Sequence, residues 1–64
     1  MYNKKISNVS LKKEIADLTT EIETLQLRLD KATDESAILF LKNLISYNEE
    51  RVSMLVFKLE NPDA

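Results

Sequence analysis

Five carboxylates stand where paired acids could do chemistry: Glu14, Asp17 and Glu21 run down one side of a helical stretch, and Glu49 and Glu50 are adjacent further along. Such pairs can pass a proton or hold a cation. Acid–base work needs a walled pocket, however, and metal sites in helical bundles usually add histidine. The chain has no His and no Cys. Its nine Ser and Thr hydroxyls therefore have no imidazole base, no thiolate nucleophile is present, and a Cys/His zinc site cannot be built. The acids read as a solvated face. The expectation is a protein that is not an enzyme and uses no cofactor and no metal.

The other residues with chemical potential are lysines. Lys4, Lys5, Lys12 and Lys13 give residues 1–13 a charge of +4, with Tyr2 nearby, while the remainder carries −6 of the net −2. Clustered positive charge is the minimum for phosphate contact, and four lysines on a short arm suit weak, salt-sensitive binding. The acidic outer face of the following stretch disfavours nucleic acid as a partner, so this is the alternative reading and solubility is the leading one.

The elements that must position these residues follow from apolar spacing. Leu11, Ile15, Leu18, Ile22, Leu25, Leu29 and Ala32 step by four and three, one clean heptad seam, with Leu27 the one large apolar residue off it. Ile38, Leu41, Ile45, Asn48, Val52, Leu55 and Leu59 form a second such seam with one polar member. The second stretch also carries an additional seam: Ala37, Phe40, Leu44, Tyr47, Arg51, Met54 and Lys58. At about 100° per residue the two seams of this stretch lie roughly 110° apart, so it calls for two packing neighbours. Val56 and Phe57 widen its apolar surface.

Residues 1–9 lack helical periodicity and read as a loose arm, with Ser7 or Ser10 as the cap of helix 1. The spacing predicts helix 1 over residues 10–31, a turn at 32–35, helix 2 over 36–60, and a tail at 61–64 begun by Asn61 and Pro62. Thr33 or Asp34 can cap helix 2. The seam also changes phase here, since continuing from Leu29 would reach Ser36 and Asn43 rather than Ile38. A turn explains the change, and one long helix with a register shift is the alternative. In a hairpin, Glu14 and Glu21 would line the same edge as Arg51 and Lys58, opposite in charge.

No Gly, one Pro, 44% apolar and 31% charged residues suit long helices. The fold class is therefore all-α: an antiparallel two-helix hairpin, coiled-coil-like, associating into a four-helix bundle. A single domain of 64 residues has a marginal core, and association is the available reinforcement. The longest apolar run, Ala37 to Leu41, is far below the roughly 20 residues that cross a bilayer. No signal-peptide pattern precedes it, so a cytoplasmic location with no membrane partner is expected.

The partner-binding residues are expected to be Phe40, Leu44, Tyr47, Arg51 and Met54, meeting either the chain's own copy or a helical protein partner. Asn48, polar on an apolar seam, is the candidate for specifying register. Two helices of this size, with Leu29-Asp30 before the turn and Asp34-Glu35 after it, resemble the Rop family of RNA-binding dimeric four-helix bundles. That likeness implies a homodimeric regulator and, for the lysine arm, a nucleic-acid role, although the RNA-contacting face of that family has no match here. The heptad-rich helix 1, polar turn and apolar run Val52 to Leu59 also resemble the hairpin co-chaperones of type III secretion. This second likeness implies a chaperone-like adaptor that binds a helical-repeat protein.

Overall fold

The computed structural model describes the backbone of residues 4–61 and the side chains of residues 9–61. It is an α-helical hairpin of α1 (Lys4–Lys31) and α2 (Glu35–Glu60), elongated to 50 × 18 × 14 Å. The phase change between the seams is a turn, so the single long helix is excluded.

The turn is three residues long, and α2 begins at Glu35, one residue earlier than spacing suggested. Asp34 is the reason. Its backbone is extended (φ −86°, ψ 131°) and its Oδ2 accepts from the Ala37 N–H at 3.1 Å, satisfying a donor that has no intrahelical partner. Glu35 complements the positive end of α2, while Arg28 and Lys31 complement the negative end of α1. Asp34→Ala should lower stability by about 1 kcal/mol, read as a fall in the urea midpoint, with Asp34→Asn close to wild type.

The arm requires correction. Residues 4–9 are the first turns of α1, and neither Ser7 nor Ser10 caps it, because both lie inside the helix. Nothing there breaks a helix: the segment has no Gly or Pro, and extending an existing helix adds one hydrogen bond for each residue fixed. Residues 1–3 of the predicted arm and 62–64 of the predicted tail lie outside the described residues. At the far end, Asn61 leaves helical geometry (φ −129°, ψ 67°), as a residue preceding proline does. Its backbone N–H and its Nδ2 both donate to the Phe57 carbonyl, at 2.9 and 3.0 Å.

Between the helices, Leu25, Leu41 and Ile45 form a buried cluster, with Ile22, Leu29, Ala32 and Leu44 packed against it. Leu55 and Asn48 are buried nearer the open end. Leu25 with Leu41 and Glu14 with Arg51 fix one register, in which each step forward along α1 is a step back along α2. The core is one seam thick, and no large side chain among the described residues is fully buried.

Candidate functional site

The face of α2 that could meet a partner is fixed by what α1 leaves uncovered. Five large apolar side chains of α2 stand in solvent: Leu39, Phe40, Tyr47, Met54 and Phe57, each between 56 and 62% exposed. Phe40, Tyr47 and Met54 follow one another at heptad spacing, drifting about 20° per step. Leu39 and Phe57 are five turns apart and share an azimuth at the edge of the same stripe. All five fall within an arc of roughly 100°, centred about 150° from the seam that holds α1. The stripe is thus almost opposite the hairpin core. Shallow grooves along it are lined by Tyr47, Glu50 and Met54 on one side and by Ser53, Met54 and Phe57 on the other, with Lys58 bordering both.

This arrangement divides the five expected partner-binding residues. Phe40, Tyr47 and Met54 are exposed and together. Leu44 is half-buried and packs against the core cluster, so its side chain is committed within the hairpin. Arg51 is also half-buried and donates through Nη2 to Glu14 Oε2 at 2.5 Å, joining the two helices. Both residues lie on the flank of α2 nearest α1, where a neighbouring helix reaches round. Phe57, expected only to widen the surface, is a full member of the stripe. Leu39 was visible in sequence only as part of the apolar run before Leu41.

The Glu14–Arg51 pair realises one of the two expected edge attractions. The other does not form: Glu21 lies opposite Leu44 in this register, and Lys58 lies opposite the start of α1. Arg51 is held above its ordinary pKa by the neighbouring Tyr47 hydroxyl first and then by Glu14. Tyr47 stands one turn before Arg51 on α2, and Arg51 is joined to α1 through Glu14.

Asn48 is 5% exposed on the inner seam, and its Nδ2 has no hydrogen-bond partner among the described residues. A buried amide left unpaired costs about 1–3 kcal/mol. Asn48→Leu, which keeps the branching and heavy-atom count, should raise hairpin stability by about that amount in urea unfolding. If Asn48 fixes register, the leucine variant should also show a second set of amide resonances.

The other candidate groups sit apart. Lys12 and Lys13 are exposed on α1, and the side chains of Lys4 and Lys5 lie outside the described residues. Among the described residues no group of three or more His, Cys, Asp or Glu is placed to share a metal ion. No helix there is long and apolar enough to cross a membrane. Comparison with protein-family models, with curated proteins and with solved structures finds no match to this chain.

Proposed function

We propose that this chain is a protein-association module, in which α1 braces α2 and the outer stripe of α2 pairs with a second copy to give a small four-helix regulatory or structural dimer. Binding, not catalysis, is its action. The observation that carries the reading is the stripe itself: of the seven exposed large apolar side chains among the described residues, five gather on one face of α2, while Val9 and Leu27 stand apart on α1.

Area supports it. A compact monomer of 7.4 kDa is expected to expose roughly 4,200 Å², whereas this chain exposes 5194 Å². The excess of about 1,000 Å² is comparable to the roughly 800 Å² that each partner buries in a standard interface. Apolar area is the driving term for such burial, and the stripe supplies it without drawing on the hairpin's own core.

Subunit mixing tests the reading. Chains carrying Glu23→Cys, on the outer side of α1, would be labelled separately with donor and acceptor dyes and mixed at micromolar concentration. Energy transfer should appear on mixing and fall when unlabelled chain is added in excess. No transfer up to millimolar concentration would refute self-pairing. The same stripe would then await a helix of a different protein, as in a co-chaperone-like adaptor.

A further inference from the structure

We infer that α2 of the second copy lies antiparallel on α2, about a two-fold axis at Tyr47; this rests on the association reading above and supplies its geometry. Along the outer face the residues are Phe40, Asn43, Tyr47, Glu50, Met54 and Phe57, stepping by three and four. Reversed about Tyr47, the series meets itself in kind. Phe40 lies against Met54 of the second copy, Asn43 beside Glu50 of the second copy, and Tyr47 against its counterpart. Apolar thus meets apolar, and an amide donor meets a carboxylate acceptor on each side of the axis. A two-fold interface needs a surface that is complementary to itself in this way.

Charge argues in the same direction. Parallel, in-register pairing would set Glu50 on Glu50 and Lys58 on Lys58, and like charges across an interface are unfavourable. Antiparallel pairing instead brings Lys58 to the acidic start of the partner helix, at Asp34 and Glu35, and sets the two helix dipoles in opposition. From Phe40 to Met54 the paired length is about 21 Å.

The angle between the faces fixes the assembly. A square four-helix bundle needs about 90° between the two contact faces of each helix, but the stripe lies about 150° from the inner seam. The four helices therefore form a row, with the two α2 helices central and the two α1 helices outside.

Single-cysteine chains test this directly, because the protein contains no native cysteine. A disulfide requires Cα atoms within about 7 Å. Tyr47→Cys should oxidise to a crosslinked dimer, and a mixture of Phe40→Cys with Met54→Cys, which keeps Tyr47, should give the mixed dimer. Phe40→Cys alone should crosslink at least tenfold more slowly, since the two copies of that position would stand about 21 Å apart. Phe40→Cys linking to itself as fast as the mixture would overturn the antiparallel arrangement. So would the absence of all these crosslinks in a chain that is dimeric by subunit mixing. In either case the association reading stands, whereas failure of subunit mixing removes that reading as well.

Discussion

Replacing Phe40, Tyr47 and Met54 together by glutamine should take the dimer apart and leave the hairpin helical. The three side chains are 62, 56 and 61% exposed in the single chain, so folding draws little on them. Glutamine is a good helix former, so local propensity is preserved. In the dimer the loss is counted twice by symmetry. Burying a Phe or Met side chain contributes about 1.5–3 kcal/mol, and six such groups line the interface. The costs of association and of retained partial contacts reduce that sum. A rise in Kd of at least about a thousandfold is expected, equivalent to about 4 kcal/mol. Sedimentation velocity should show the monomer at concentrations where the parent chain is dimeric, with circular dichroism little changed. Loss of helix at every concentration would instead place these residues in the hairpin core.

Ile45→Ala should have the opposite signature. Ile45 is 8% exposed in the buried cluster with Leu25 and Leu41, and deleting such a side chain costs about 2–5 kcal/mol. A chain of this length has a total stability of only about 3–10 kcal/mol, so the lone hairpin should lose about half of it and shed helicity at a lower temperature than the parent. Because pairing stabilises the folded form by mass action, helicity should recover as concentration rises. Thermal melts by circular dichroism at two concentrations a hundredfold apart would read this. Helix content equal to the parent at the lower concentration would contradict the assignment of the core. The two substitutions therefore separate the two faces of α2: one removes association at constant fold, the other removes fold in a way that association repairs.

Much of this was legible in the spacing of apolar residues. Both inner seams are the least exposed positions of their helices, because a heptad repeat forces its residues to one side whatever the partner is. The turn was also legible, since Asp34 is a capping residue at the point where the seam changes phase. The start of α1 is not, because residues 4–9 carry no apolar periodicity to mark a helix. Periodicity reports which face of a helix is apolar, not whether the helix forms.

The outer face was only partly legible for a different reason. Leu44 and Arg51 belong to the second seam by spacing, but a seam is a line, whereas a neighbouring helix covers an arc. The half of the second seam nearest α1 is taken into the hairpin, by packing at Leu44 and by the ion pair at Arg51. The exposed half lies further round, toward Leu39 and Phe57, which is why the proposed assembly is a row and not a bundle corner. Charge pairing shows the same distinction. Glu21 and Lys58 share an edge, but antiparallel helices match residues by level as well as by edge, and those two lie at different levels.

The central claim, that the outer stripe of α2 is covered by a second copy, is tested most directly by the solution mass of the unmodified chain. Sedimentation equilibrium from micromolar to millimolar concentration, with circular dichroism on the same samples, would give mass and helicity together. The expected result is a reversible monomer–dimer equilibrium with a helical dimer as the largest species. A monomer that stays helical and soluble across the whole range would contradict it, because the stripe would then be stable in water without a copy of itself.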